Sequence, residues 1–258
     1  MEPSDSCRHG PGTVCPNCST AARPGAILNG VAGSLQFPGY EVLGPIGQGG
    51  WAVVYKARDT SLNRVVAIKT PRATLDAGEL EQFKSEARKQ AGLNHENIVT
   101  VHSFCDGSPP FLVMEHVEGG TLAERIKEKA VGEEDAVEIA LQLLGALKHL
   151  HGRDLIHRDI KPSNVFARKE GRRWHVKLAD FGIAKGVATA LTRPGSVCGT
   201  VIYMAPEQLE GHACAQSDLY SVGVVLGEML LKGPMDLTWH SKSPTWAQAL
   251  LLRPWLRI

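Results

Sequence analysis

The sequence has no long apolar run, no excess of charge of either sign and no leading segment of the secretory type. Its longest apolar stretch, residues 219–231, is interrupted by polar residues and is shorter than the roughly 20 residues that span a bilayer, so we expect no membrane segment. The 28 Lys and Arg nearly balance the 27 Asp and Glu, which gives no electrostatic reason to expect nucleic acid as a partner. Without a secretory signal, we expect a cytoplasmic location.

Cysteine is also scarce, with six in 258 residues, and only Cys15 and Cys18 lie close together. In a chain without a secretory signal, thiols or metal ligands are expected rather than disulfides. Cys7, His9, Cys15 and Cys18 could form a four-ligand zinc site, although a zinc ribbon usually has two CxxC pairs and this segment has one. The alternative is a flexible tail that carries thiols, because residues 1–36 are rich in Gly, Pro and Ser.

The first half of the remaining chain has the pattern of a sheet with one helix. Short β-rich runs surround a glycine-rich turn, GQGGW, and further strands are predicted at 64–69, 97–104 and 110–117. In the segment 78–92, apolar residues recur at spacings of three and four, which predicts a helix. The predicted buried face of that helix consists of Leu80, Phe83, Ala87 and Ala91. This half therefore predicts five strands and one helix.

The second half is mainly helical. Residues 133–151 are predicted to form a helix, and a strand, HVKLAD, and a second buried helix at 218–230 follow. The predicted apolar stripe of the first helix consists of Val137, Ala140, Leu141, Leu144, Leu147 and Leu150. The fold class predicted is α+β, with a β-rich lobe at 39–117 and a mainly helical lobe at 118–232.

Two features of the first lobe suit a bound nucleotide. Gly47 and Gly49 allow backbone N–H groups to approach phosphate oxygens, although an ordinary glycine hairpin is the alternative. Lys69 ends an apolar strand and Glu86 lies on the predicted helix. Taken separately, the lysine and the glutamate are each expected to extend into water. Together they could form an ion pair that directs the lysine ammonium group at phosphates.

The segment LIHRDIKPSNVF, residues 155–166, places charged and amide side chains between two apolar flanks. Asp159, Lys161 and Asn164 lie on one predicted loop, and an Asx turn is the simpler interpretation of the Asp and Asn. Asp180 follows an apolar strand in the motif DFG. Because Mg²⁺ prefers oxygen ligands, the carboxylate of Asp180 at a strand end could hold this cation.

The order of these motifs identifies a family. The chain resembles the eukaryotic-like protein kinases over residues 39–232: GQGGWAVV matches the glycine loop, VAIK the strand lysine, HRDIKPSN the catalytic loop, DFG the metal motif and APE, at 205–207, the end of the activation segment. HRDIKPSN and GTVIYMAPE are similar to the Ser/Thr branch, and SDLYSVGVVL is similar to bacterial Hanks-type kinases. The resemblance implies a two-lobe kinase fold.

The resemblance also implies a function: a Ser/Thr protein kinase that uses ATP and Mg²⁺ and phosphorylates protein substrates. Phosphoryl transfer depends on positioning and on charge neutralisation. By resemblance, Asp159 accepts the proton of the substrate hydroxyl and Lys161 neutralises charge on the γ-phosphoryl group. Lys69, held by Glu86, binds the α- and β-phosphates. A pseudokinase that binds nucleotide or acts as a scaffold is the alternative, as is a small-molecule kinase.

Further positions follow from the same resemblance. Asn164 and Asp180 hold two Mg²⁺ ions, and His157 and Phe181 belong to the internal spine. Arg158 pairs with a phosphorylated residue of the activation segment, for which Thr192 and Ser196 are the candidates, whereas Thr200 has a structural role and Thr189 is a further hydroxyl residue there. The expected adenine site consists of Ile46, Val54, Ala67 and Phe166, the gatekeeper Met114, and backbone groups of Glu115 and Val117.

Three departures from the family pattern stand out. Ala52 replaces the third glycine of the loop, and Gln90 occupies the place of an apolar spine residue behind Glu86. The tail, 233–258, contains three of the five Trp residues and offers no Arg that matches Glu207. We therefore expect an incomplete large lobe with an unpartnered Glu207 carboxylate. A substitute Trp-rich helix is the alternative.

Overall fold

The computed structural model describes residues 36–49, 51–180 and 201–233. Its first part is a five-stranded antiparallel sheet with the strand order β1-β2-β3-β5-β4. The strands are β1, Tyr40–Gln48; β2, Ala52–Asp59; β3, Arg64–Pro71; β4, Val101–Cys105; and β5, Phe111–Glu115. The five predicted strands are confirmed, and Lys69 lies on the central strand β3 opposite Leu112 of β5.

Helix α1, Ala77–Ala91, follows β3 and begins at a capping box in which Asp76 and Glu79 exchange hydrogen bonds. The predicted buried face was wrong in part, because Ala91 is exposed and Leu80 is only half-buried. The buried side chains are Phe83, Glu86, Ala87 and Gln90. A stripe drawn through apolar residues alone misses the two polar side chains, which are buried while hydrogen-bonded to each other.

The second part is built on two long helices, α3 at Glu133–His151 and α5 at Ala215–Leu231, with shorter helices α2 at Leu122–Lys127 and α4 at Pro206–Leu209. The predicted stripe of α3 was wrong at Leu141 and Leu144, which are 63% and 38% exposed. The core face of α3 consists of Ala136, Ile139, Ala140, Leu143, Ala146, Leu147 and Leu150. Because the leucines of α3 are closely spaced, more than one apolar stripe can be drawn along this helix. The stripe that is buried is the one that packs against α5 and the following hairpin.

A two-stranded hairpin connects the catalytic-loop segment to the DFG motif. Its strands are β6, Val165–Glu170, and β7, Arg173–Leu178. Only β7 was predicted, because β6 is half polar and carries a charged, exposed end. The hairpin is joined to the sheet side of the molecule by backbone bonds on both sides of Ile98, from Val99 N–H to Leu178 O and from Leu178 N–H to Asn97 O, each 2.9 Å long. It thereby places Asn164 and Asp180 at one end.

Several predictions lie outside the described residues. They concern the zinc candidates Cys7, His9, Cys15 and Cys18, the spine residue Phe181, the activation-segment residues Thr189, Thr192, Ser196 and Thr200, and nearly all of the tail with Trp239, Trp246 and Trp255. These stay predictions. In the ranges that the structure describes, no helix combines the length and the apolar character needed to cross a bilayer.

Candidate active site

The catalytic-loop segment is anchored to the large-lobe core by Asp218, near the N-terminus of α5. Its carboxylate is 1% exposed and accepts the backbone N–H groups of His157 and Arg158, each at 2.9 Å. His151 Nε2 lies 2.8 Å from the same carboxylate. Arg158 has a left-handed φ of 66°, a conformation that costs a non-glycine residue about 1–3 kcal/mol and needs such support. Sequence reasoning missed Asp218, although a carboxylate in a buried apolar helix was a signal.

His157 is fully buried beneath this loop. Its Nε2 lies 3.2 Å from the carbonyl oxygen of Ala179, the residue before Asp180. Burial lowers the pKa of His157 and outweighs the opposing charges of Asp218 and Asp159. The imidazole therefore links the catalytic loop to the DFG segment as a neutral group. The predicted position of His157 in the interior agrees with this placement.

The polar side chains of the loop converge on Asp159. Lys161 Nζ lies 3.1 Å from Asp159 Oδ1, and Asn164 Nδ2 donates to Asp159 Oδ2 at 2.9 Å and to its backbone carbonyl at 2.7 Å. Both carboxylate oxygens of Asp159 therefore accept hydrogen bonds from side chains of its own loop. Because the Asn164 amide nitrogen is used inside the loop, the amide oxygen is the atom that Asn164 can present to a cation.

Lys69 meets this site from the sheet. Its Nζ lies 2.5 Å from Asp180 Oδ1. Burial opposes the charged ammonium, but the charges of Asp180, Glu86 and Asp159, with the Asp180 hydrogen bond, more than offset it and raise the pKa of Lys69. The carboxylate in contact with Lys69 in this structure is Asp180. Glu86, the partner expected from the sequence, acts on Lys69 through its charge and accepts a hydrogen bond from Gln90 at 3.1 Å.

The donor set fits a hard cation that is shared with phosphate. Asp180 has a side chain 44% exposed, and its φ of 57° is left-handed, as at Arg158. Within the residues that the structure describes, no three His, Cys, Asp or Glu side chains converge on a metal position. One carboxylate and one amide oxygen are what Mg²⁺ uses when phosphates and water complete its octahedron.

The residues expected around adenine form one apolar cluster. Ala67 and Met114 are buried there with Val99 and Ala179, and Val54, Val117 and Phe166 pack against them. Ile46 is not part of this cluster and is 51% exposed on β1. The cluster joins the sheet to the β6–β7 hairpin and forms an apolar wall suited to a base.

Backbone groups at two predicted positions are already engaged. The N–H of Glu115 donates to the Thr100 carbonyl at 2.8 Å, so Glu115 can offer a base its carbonyl oxygen rather than its N–H. The N–H of Gly49 donates to the Ala52 carbonyl at 2.9 Å and closes the turn between β1 and β2. The N–H of Gly49 is therefore used in an ordinary hairpin turn, which was the alternative to a phosphate-binding role. Gly47 lies opposite Val54 in the β1–β2 ladder.

The segment that includes the APE motif is tied to α5. Glu207 accepts a hydrogen bond of 2.6 Å from Ser217 Oγ, and this bond lowers the pKa of Glu207. Glu207 therefore has a hydrogen-bond partner in the serine hydroxyl of α5, whereas the expected lack of an Arg partner concerns the tail and stays a prediction. Tyr203 donates to Glu228 at 2.9 Å, and Gln208 Nε2 donates to the Arg158 carbonyl at 2.7 Å. This segment thus contacts both α5 and the catalytic loop.

Comparison with known proteins agrees with this arrangement. The protein kinase domain model matches residues 40–248. The chain is 43% identical to serine/threonine-protein kinase PknL of Mycobacterium bovis over 197 residues, which are 74% of its length. Over an alignment of the same length, it is 39% identical to serine/threonine-protein kinase PrkC of Bacillus subtilis. It is 40% identical over 203 residues to serine/threonine-protein kinase pkn3 of Myxococcus xanthus. The aligned region covers 49%, 30% and 37% of these three relatives, respectively.

Proposed function

Since the chain belongs to the protein kinase family, we propose that it transfers the γ-phosphoryl group of ATP to Ser and Thr hydroxyls of proteins. The observation that carries this proposal is the meeting of groups from both lobes. The Nζ of Lys69, on the central strand of the sheet, lies 2.5 Å from Oδ1 of Asp180, which follows the β6–β7 hairpin. The choice of Ser and Thr rests on the names of the relatives and on the HRDIKPSN motif.

In this proposal each side chain has one task. Asp159, held by Lys161 and Asn164, orients the substrate hydroxyl and accepts its proton. Lys161, which contacts Asp159, would neutralise charge that develops on the transferred group. Lys69 holds the α- and β-phosphates, and Glu86 supports the ammonium. The apolar cluster around Ala67 and Met114 receives the base.

ATP and Mg²⁺ belong to the proposal because the family uses them and because the donor set fits. Asp180 and the amide oxygen of Asn164 would hold the cation, which neutralises phosphate charge when bound. The structure gives no reason to place zinc among the described residues, and zinc at the N-terminal Cys cluster stays a prediction from sequence. The free thiols of Cys105 and Cys214 fit the reducing cytoplasm that we propose as its location.

Control by phosphorylation of the activation segment is a further part of the proposal. Arg158 is held at its backbone by Asp218 and Gln208, which fixes the origin of its side chain. A phosphate on Thr192 or Ser196 would supply the anion for its guanidinium. Mapping of phosphorylated residues after incubation with ATP, together with the activity of a Thr192→Ala/Ser196→Ala variant, tests this. Unchanged activity and time course would contradict it.

The decisive experiment measures phosphoryl transfer directly. The purified chain is incubated with Mg²⁺ and ATP labelled on the γ-phosphate, with a library of Ser-, Thr- and Tyr-containing peptides as acceptors. We expect label on Ser and Thr, and loss of roughly 10²- to 10⁴-fold in rate for Asp159→Asn, the range that a general base contributes. Binding of ATP by Asp159→Asn is the control for folding. Bound nucleotide without any transfer by the natural chain would identify a pseudokinase instead.

A further inference from the structure

Away from the active site, two histidine rings bring the two lobes into contact. His95 lies in the segment that joins α1 to β4, and His149 lies near the C-terminal end of α3. Their ring centroids are 5.1 Å apart and their planes are inclined by 49°. The His95 ring also lies beside Gly145, one turn earlier on α3, where an added Cβ would be 3.8 Å from His95 Cε1. His95 therefore packs on one face of α3, and we call its pairing with His149 the histidine contact.

The segment that carries His95 connects α1 directly to the core of the large lobe. Leu93 and Ile98, on either side of His95, are 3% and 1% exposed and belong to the same apolar core cluster as Leu147 of α3. The N–H of Leu93 donates to the carbonyl of Gln90, at the end of α1, at 3.0 Å. A change at the histidine contact is therefore transmitted to the C-terminal end of α1.

The hydrogen bonds of the two rings determine where their protons lie. His95 Nδ1 accepts the backbone N–H of Asn97 at 3.1 Å. His149 Nδ1 lies 3.3 Å from a guanidinium nitrogen of Arg153, which can only donate, so this Nδ1 is also an acceptor. Each neutral ring therefore has its hydrogen on Nε2. A charged imidazolium needs a second hydrogen on Nδ1, where each ring already faces an N–H, so a proton cannot be added without disturbing these contacts.

The surroundings of His149 also oppose a positive charge. Its Nε2 is fully buried and has no hydrogen-bond partner among the described residues. Burial lowers the pKa of His149, and the charges of Arg153 and of His95 lower it further. The other charged residues next to these histidines in the sequence are exposed or paired elsewhere: Glu96, Lys148 and Asp154 are exposed, and His151 contacts Asp218. A protonated His149 is therefore relieved of both burial and like charge when the two rings separate.

We propose that the histidine contact is an acid-sensitive connection between the two lobes, closed while both rings are neutral and opened when His149 takes up a proton. Because the closed contact resists a proton that the open one accepts, closure is favoured above the ordinary histidine pKa of about 6.5 and weakens as pH falls below it. Opening releases the segment after α1 from α3. This behaviour is independent of phosphoryl transfer.

The experiment measures backbone hydrogen exchange of the peptide that spans residues 93–98, in the purified chain without nucleotide. Exchange is followed between about pH 7.5 and pH 5.5 and divided by the rate in the unfolded chain at each pH, because intrinsic exchange itself depends on pH. We expect protection of this peptide to fall at least about fivefold toward pH 5.5, the lower end of the range for coupled equilibria. A peptide from β2 and β3 reports global unfolding and is expected to change less. Constant protection of residues 93–98 would overturn the proposal.

Two variants assign the pH dependence to His149. Arg153→Met removes the neighbouring cation at an exposed position, so protection of residues 93–98 is expected to persist to lower pH. Lys148→Met is the matched control, because it removes an exposed cation from the same end of α3 without touching His149, and it should follow the natural chain. His149→Phe keeps a ring that cannot be protonated, and its protection is expected to be nearly independent of pH.

The outcomes separate a pH-sensitive contact from ordinary packing. A His149→Phe variant that loses protection as steeply as the natural chain would overturn the proposal. The same holds if Arg153→Met and Lys148→Met give superimposable profiles, a comparison that stands even where His149→Phe is poorly folded. Since exchange needs no catalysis, a chain that transfers no phosphoryl group would contradict the proposed function and leave this test unaffected.

Discussion

The catalytic loop and the Lys69 end of the site are held in different ways. The loop is fixed at its backbone, because the buried carboxylate of Asp218 accepts N–H groups of His157 and Arg158. Lys69 is held by a side-chain contact alone, from its Nζ to the carboxylate of Asp180, and the charge of Glu86 also raises its pKa. Backbone anchoring couples the loop to the core of the large lobe, whereas side-chain contacts can be exchanged for others. We therefore expect damage to the loop to affect stability and activity together, and damage near Lys69 to affect activity alone.

The largest effect is expected for Asp218→Ala, which breaks the loop side of this comparison. The substitution leaves the buried N–H of His157 and the partly buried N–H of Arg158 without their acceptor, at about 1–3 kcal/mol for each group, and releases the strained backbone of Arg158. We expect a free energy of unfolding lower by roughly 4 kcal/mol and turnover near the detection limit. Urea unfolding and peptide phosphorylation measure the two quantities. Asp218→Asn keeps one oxygen acceptor, so its stability and turnover are expected to lie between those of the natural chain and of Asp218→Ala. Full activity in Asp218→Ala would contradict the anchoring role.

Lys69→Met tests the expectation that damage at the Lys69 end of the site affects activity alone. The side chain is mostly buried, and its removal eliminates the cost of burying an ammonium group together with its contact to Asp180. We expect kcat/KM for ATP to fall on the order of 100-fold, which is within the range of a lost transition-state charge interaction, while the urea midpoint changes little. Lys69→Arg is the control that keeps the charge but changes its geometry. A Lys69→Met variant that unfolds as easily as Asp218→Ala would remove the distinction between the two regions.

A third substitution shows what loss of packing alone does. Leu143 on α3 is fully buried, whereas Leu141 two residues earlier is 63% exposed. Leu143→Ala is expected to lower the free energy of unfolding by about 2–5 kcal/mol, and Leu141→Ala by less than about 0.5 kcal/mol. At a temperature where both variants are folded, activity is expected to stay near that of the natural chain. Equal destabilisation would mean that the Leu141 face is covered in solution.

The smallest effect concerns pH and sharpens the account of the loop. Burial holds the pKa of His157 below its ordinary value of 6.5, so the folded state resists a proton that the unfolded chain accepts. Its contribution to stability is complete above pH 6.5 and is lost as pH falls from there toward the folded pKa. His157→Gln is therefore expected to show a shallower decline of stability below pH 6.5. Exposed His175→Gln is the control, and parallel curves for the natural chain and His157→Gln would refute this explanation.

The outline of the fold could be predicted because local patterns specify it. Alternating short apolar runs gave five strands, and the predicted helix at 133–151 matches α3 at both ends. The motif order led to the family, and the apolar cluster contains Val54, Ala67 and Met114 as expected. These features depend on neighbours in sequence or on residue types that few other sites combine. They are therefore readable before any tertiary contact is known.

Faces and partners could not be predicted in the same way. A helical period of 3.6 residues places Leu141 and Leu143 in competing stripes, and only contact with α5 decides between them. From sequence alone, two polar residues such as Glu86 and Gln90 indicate an exposed helix face. The structure shows that both are buried and joined by a hydrogen bond. Ser217 was likewise unforeseeable as the partner of Glu207, because hydroxyl groups are common and the pairing depends on how α5 packs.

By itself, the sequence determined which elements form, which family they belong to and which side chains are available for phosphoryl transfer. The tertiary structure decided which of these side chains meet. Asp218 became the anchor of the catalytic loop, Asp180 rather than Glu86 became the contact of Lys69, and Gln90 became the partner of Glu86. The physical reason is range: strands, turns and helices follow from interactions between near neighbours, whereas the desolvation of a charge and the choice of its hydrogen-bond partner are settled only when distant segments pack together.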